Sequence, residues 1–269
     1  MSFEILPFDI SFLNQLEELP PAEWQSNAYQ LFLDNEWQPW FFPFQALEDG
    51  RLVGFGMFFL FDEFAWLGWI LVHQEYRHKG IGTAITNYLI DKSTEQGAKG
   101  FILTATEMGK PIYEKLGFTT TSYYRFFNLP EMFEPKLERQ FIRKAIRNDL
   151  SGILELDYLA TGEKRSMLIE NNLDDCWIHE DKKIDGFFMP GLGNGFIVAS
   201  TDKAGIALLN LRCSDNKKVI VVPEQNKFAI NYLLENNFTE GYKIPRMTLG
   251  KEPQWQPGMI FNRASGYCG

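Results

Sequence analysis

Chemistry in this chain is most concentrated where an apolar run gives way to glycine, in "WILVHQEYRHKGIGTAI", residues 69–85. Arg77, His78 and Lys79 stand directly before Gly80-Ile81-Gly82, the pattern R-x-x-G-x-G at a strand-to-helix junction. Glycines there let the main chain approach a ligand and turn its N–H groups inward. The first turn of the following helix adds unpaired N–H groups and a partial positive charge, and Arg77 and Lys79 add charge-assisted bonds. The segment reads as a site for a phosphate-bearing ligand. A P-loop needs G-x-x-x-x-G-K-[ST], which does not occur, and a dinucleotide fingerprint needs a third glycine where Ile85 stands.

Such a loop needs a strand before it and a helix after it. "AWLGWILV" (65–72) is a nearly continuous apolar strand expected to be buried on both faces. A helix should follow from about Gly82 to Gln96, ending at Gly97. Upstream, "SFEILPFD" predicts a strand, "SFLNQLEEL" a helix, and "PAEWQSNAYQLFLDN" a second helix opening on Pro21. "WFFPFQALEDGRLVGFGMFFL" predicts two strands joined at Asp49-Gly50. Downstream come a strand "GFILTAT", a short helix "GKPIYEKLGF" stopped by Gly117, and a strand "TTTSYYRFFNL". The proline-containing, charged stretch 130–138 is expected to be a linker between domains at 1–129 and 139–269. The second half repeats the order of elements. Its clearest echo sets "VIVVPEQNKFAINYLLENNF" against "FILTATEMGKPIYEKLGF", with Asn237 standing where Gly117 stands. Both residue types tolerate the left-handed conformation that ends a helix.

Composition narrows the classes of function. The 269 residues carry a net charge of −9, which disfavours broad attachment to nucleic acid or an anionic membrane and leaves anions only a local basic patch. The opening "MSFEILPFDI" has no secretory pattern, and runs such as "LVGFGMFFLF" are too short and glycine-broken to span a bilayer. Three scattered cysteines, Cys176, Cys213 and Cys268, fit reduced thiols in a cytoplasm. His73 and His78 lack a third ligand, so no metal is expected, and His179 reads as a surface strand residue. "GLGNG" (191–195) precedes a strand and reads as a hairpin turn.

The segment "WLGWILVHQEYRHKGIGTAI" resembles motif A of the GNAT superfamily of acyl-CoA-dependent N-acetyltransferases, with Gln74 where the family usually has proline. "ATEMGKPIYEKLGF" is similar to that family's later segment ending in Tyr-Glu-x-Leu-Gly-Phe, and the whole chain looks like a tandem GNAT protein. The resemblance implies an α/β fold of two GNAT-like domains, each a mixed, mostly antiparallel sheet flanked by helices. It implies transfer of the acetyl group of acetyl-CoA, by direct attack, to an amine of a small molecule or peptide. Ile70, Leu71 and Val72 would meet the pantetheine arm, an amide near Ile70 or Val72 polarising the thioester. Arg77, His78, Lys79, Gly80, Ile81, Gly82 and Thr83 would hold the pyrophosphate, and Tyr113 would protonate the leaving thiolate. No carboxylate lies on 65–72, so Asp62, Glu63 or Glu107 would have to reach the amine through water. Trp37, Trp40, Phe41, Phe42 and Phe44 are candidates to line the acceptor pocket, although half or more should be core.

In the second half no R-x-x-G-x-G occurs, the corresponding helix enters through "STDKAGIALL", and Leu233 stands where Tyr113 does. One active site per chain is expected, the degenerate half walling the acceptor cleft of a monomer or homodimer. A CoA-binding sensor or interaction module without turnover is the competing expectation.

Overall fold

In a computed structural model of the chain, residues 3–20, 28–36, 38–137, 139–214 and 218–269 are described. They form two compact units that are not contiguous in sequence, Met1–Thr119 with Thr248–Lys251, and Thr120–Met247 with Glu252–Gly269.

The first unit is a sheet with helices. Its strands are β1 (Glu4–Pro7), β2 (Phe41–Glu48), β3 (Arg51–Phe61), β4 (Phe64–Val72) and β5 (Gly100–Thr104), adjacent in that order. Strands β1 to β4 pair antiparallel, and β4 pairs β5 in parallel. Helices α1 (Leu13–Leu16), α2 (Ala28–Asn35), α3 (Ile81–Glu95) and α4 (Lys110–Lys115) complete the unit. The N-terminal part of the expected second helix, Pro21 included, and Trp37 lie outside the described residues. Asp49 and Gly50 take φ of +50° and +75°, the pair of left-handed residues that a two-residue hairpin turn requires.

Helix α3 lies on β3 because β3 offers it glycines. A Cβ on Gly54 would stand 2.7 Å from Ile85 Cδ1, and one on Gly56 2.5 Å from Ile85 Cγ2. The opposite face of β3 turns Phe55 towards Phe8 and Phe32, at ring separations of 5.3 and 6.0 Å. The aromatic run is largely core: Trp40, Phe41 and Phe44 are buried, and Phe42 stacks on Phe58 at 4.6 Å.

The second unit contains two sheet regions. In one, β12 (Thr239–Gly250) lies beside β6 (Thr119–Asn128), which pairs antiparallel with β11 (Val219–Pro223). The other has the order β13-β10-β9-β8-β7, from Ile260–Asn262, Phe196–Ala199, Lys183–Met189, Trp177–Asp181 and Ile142–Lys144. Four helices, α5 (Leu150–Thr161), α6 (Ser166–Asn171), α7 (Asp202–Cys213) and α8 (Lys227–Glu235), pack with them. The expected linker lies wholly within this unit's range, and so does nearly all of β6, which the sequence reading places in the first half. Conversely, the last residues of β12 belong to the first unit, where Lys251 N–H donates to Lys99 O at 2.9 Å. Strand β13 has no counterpart in the sequence reading; three residues are too few to display a period.

One expectation in this unit is corrected. His179 is no surface residue: it is fully buried, its Nδ1 2.6 Å from Asp185 Oδ1, while Thr201 Oγ1 donates to Asp185 Oδ2 at 3.1 Å. Ile178 and His179 are both fully buried, so β8 is covered on both faces here, and the carboxylate supplies a partner for Nδ1 while Nε2 has none among the described residues.

Candidate active site

The site is built on a strand that leaves its neighbour. Among the described residues β4 pairs with β5 only through Phe64, Ala65 and Trp66. On its other edge β4 stays with β3, but the register shifts: Leu71 faces Phe55 and Gly68 faces Met57, so two residues of β4 oppose one of β3. This is a β-bulge, and its first extra residue, Trp69, has φ of +50°. For a bulky side chain that backbone costs on the order of 1–3 kcal/mol. The apolar run is thus buried on both faces only in its first half; Gly68, Trp69, Ile70 and Val72 are half-exposed.

The bulge and the parting of β4 from β5 leave main-chain groups facing open space. His73 N–H donates to Val53 O of β3 at 2.9 Å. Because such bonds alternate in direction along a regular strand, the N–H of Val72 points the other way. There lies a cavity of about 430 Å³, lined by Ile70, Leu71, Val72, Arg77, His78, Gly80, Ile81, Gly82, Thr83 and Tyr113 among others. Of the residues expected to hold the cofactor or act as the acid, the structure therefore brings together all except Lys79. That side chain lies over the ring of Tyr76, itself a lining residue, at 4.6 Å.

The loop from β4 to α3 presents charge and main chain. Arg77 Nε donates to Val72 O at 3.3 Å, fixing the loop to the end of the strand. Arg77 and Lys79 form no ion pair among the described residues. His78 and Gly80 both have positive φ, +62° and +82°, the conformation that turns the chain sharply into α3. Gly82 differs from Gly80: its φ is ordinary, and a Cβ there would meet only Val72 Cγ2 at 3.6 Å and Ile112 Cδ1 at 3.9 Å. Nothing in the protein itself demands glycine at 82, in the first turn of a helix bordering the cavity. The missing side chain leaves room for a ligand at the helix N-terminus.

Tyr113, on α4, is 9% exposed. Gly109 makes room for its ring, since a Cβ there would be 2.9 Å from Tyr113 Cε2. Phe118 meets the ring edge-on at 6.0 Å. The hydroxyl has no hydrogen-bond partner among the described residues, and burial pushes its pKa well above that of free tyrosine. A phenol so placed keeps its proton at neutral pH, the state a proton donor needs.

The three carboxylates suggested as bases are elsewhere. Glu63 pairs with Lys251, and with Lys99 at 3.1 Å, and its pKa is lowered by these hydrogen bonds. Asp62 and Glu107 are exposed, and none of the three lines the cavity. Nor do Trp40, Phe41, Phe42 or Phe44. Leu19, Trp69 and Met108 do, and sequence reasoning missed them. No signal in the sequence singled out Trp69, since nothing marks a tryptophan as left-handed. Among the described residues no group of three or more His, Cys, Asp or Glu stands close enough to hold a metal.

Comparison with known proteins agrees with this geometry. The Acetyltransferase (GNAT) family model matches residues 10–118. The uncharacterized N-acetyltransferase YitH of Bacillus subtilis is 26% identical over 236 residues, 82% of this chain and 82% of its own. A provisionally assigned acetyltransferase of Pyrococcus horikoshii has the same fold, with a TM-score of 0.84 at 20% identity, over 99% of this chain and 96% of that one. A GCN5-related N-acetyltransferase of Sphaerobacter thermophilus follows at 0.64 and 10% identity, over 94% and 98%. The residues that build the cavity fall within the segment that matches the Acetyltransferase (GNAT) family model.

Proposed function

We propose that the first unit binds acetyl-CoA in the cavity and transfers its acetyl group to the amine of a small molecule or peptide. The N–H groups at the mouth of α3, with Arg77 and Thr83, would receive the diphosphate. The amides of Ile70 and Val72 would pair with the pantetheine arm and polarise the thioester carbonyl. The neutral amine attacks that carbon; the C–N bond forms and the C–S bond breaks. Tyr113 gives its proton to the leaving thiolate and is reprotonated from solvent as the new amide nitrogen sheds its own.

The second unit is proposed to have no such site. Its matching helix α7 already carries acidic groups at its start: Asp202 is in the first turn, and Asp185 binds the capping Thr201. Gly205 in α7 serves packing, since a Cβ would lie 2.2 Å from the ring of Phe261. Leu233, at the place of Tyr113, is fully buried.

The observation that carries this reading is the unfilled space at Gly82. Alanine there should raise helix stability by up to about 1 kcal/mol while filling the cradle. The expected result for Gly82→Ala is an unchanged or higher melting temperature with acetyl-CoA affinity reduced at least tenfold by calorimetric titration. Equal affinity in the variant would remove the diphosphate from this loop. Thiol release from acetyl-CoA across a panel of amines tests turnover; binding without release on any of them would replace catalysis with ligand sensing.

A further inference from the structure

The lining of the cavity changes character along β4. Beside Val72 it is glycine, cation and hydroxyl: Gly82 stands within van der Waals reach of Val72, and Arg77 bonds its carbonyl. Further back along β4 the strand contributes the apolar side chains of Leu67, Trp69 and Leu71, and Thr104 and Thr106 of the neighbouring segment also line the cavity. At roughly 3.3 Å per residue, Trp69 lies about 10 Å along the strand from Val72. Along β4 the lining thus passes from the charged loop at Val72 to apolar side chains, Trp69 among them.

Its ring is held on two sides. The left-handed backbone, φ +50°, directs the side chain off the regular strand alternation. The indole then meets Phe55 edge-on at 6.5 Å. Phe55 has no exposed surface and is itself wedged against Phe8 and Phe32. A ring backed by a closed aromatic core cannot swing aside without opening that core. Glycine would occupy this backbone without strain, and one is present at the adjacent position, Gly68; the chain nevertheless places its largest side chain at the strained residue.

We propose that the indole of Trp69 is the specificity-determining wall of the acyl subsite, admitting acetyl and excluding long acyl chains. This rests on the reading of the cavity as an acyl-CoA site. Removing the wall while keeping the bulge requires Trp69→Gly, which accepts the left-handed backbone; Trp69→Phe retains a shorter wall should the glycine variant fold poorly.

The test is calorimetric titration with free CoA, acetyl-CoA and hexanoyl-CoA, which needs no knowledge of the acceptor. Wild type should bind acetyl-CoA at least tenfold more tightly than hexanoyl-CoA. Trp69→Gly should bring that ratio to within about threefold, with Trp69→Phe between the two. Wild type binding both thioesters equally, or a ratio unmoved in folded variants that still bind free CoA, overturns the proposal. Failure of wild type to bind free CoA at all overturns the cavity reading and this inference with it, a result separable from the first by the free-CoA arm alone.

Discussion

At the residue scale the proposed acid is a phenol that burial keeps protonated. Tyr113 is buried, and its pKa is raised by desolvation. The protonated form is present below the folded pKa, so loss of the acid cannot lower the rate until pH exceeds about 10, the value of free tyrosine. Above that pH the unfolded chain ionises while the folded one does not, and stability falls before the acid does. Tyr113→Phe should therefore lower kcat by roughly 10²–10⁴ with acetyl-CoA affinity within a factor of two. Its pH–rate profile should keep the wild-type shape up to pH 10. An alkaline limb below pH 9 that disappears in the variant would show a depressed, not raised, phenol and would contradict the burial argument. The tyrosine was legible in the sequence because the segment around it resembles a family motif. Its proton-holding state was not, since that follows from Gly109 and Phe118 closing around the ring.

At the scale of elements, the glycines of β3 decide where α3 sits, and α3 decides where the cradle opens. Gly56→Ala would place a methyl group 2.5 Å from Ile85 Cγ2 and 3.1 Å from Leu89 Cδ1. Ile85 is branched at the contact, so relief must come from moving the helix. Overpacking of this kind costs about 1–3 kcal/mol, and the urea midpoint should fall accordingly; acetyl-CoA affinity should fall with it, because Gly82 rides on the same helix. An unchanged midpoint would mean that helix and sheet adjust without loss. The elements themselves were largely readable. Asp49-Gly50 announced a hairpin, Gly97 and Gly117 stopped helices at φ of +99° and +93°, and Asn237 took the same role at +62°. The bulge in β4 was not readable, because a tryptophan carries no sign that its backbone will be left-handed. His179 misled for a related reason: its partner Asp185 lies six residues away across a turn, and a charged-looking stretch hid an inward-facing ring.

At the scale of the molecule, all three cysteines are free and buried. Burial pushes Cys176 to about 12 and Cys213 to about 11, and raises Cys268 as well. Thiols that stay protonated and enclosed are poor nucleophiles. At pH 8 the native protein should release no thiol to an aromatic disulfide reagent over minutes, and three after denaturation in guanidinium. Prompt native reaction of any one would reveal an opening of its unit.

The interleaving of strands along the chain has a consequence for how the molecule is made. Thr248–Lys251 belong to the unit that begins at Met1, and β12 borders β5 there. A ribosome must therefore deliver the chain as far as Lys251 before the unit that holds β1 to β5 can close its own edge. Until then β5 offers a row of unclaimed amides and carbonyls, the kind of template on which nascent chains pair with their neighbours. The order of synthesis and the order of completion run opposite ways in this protein.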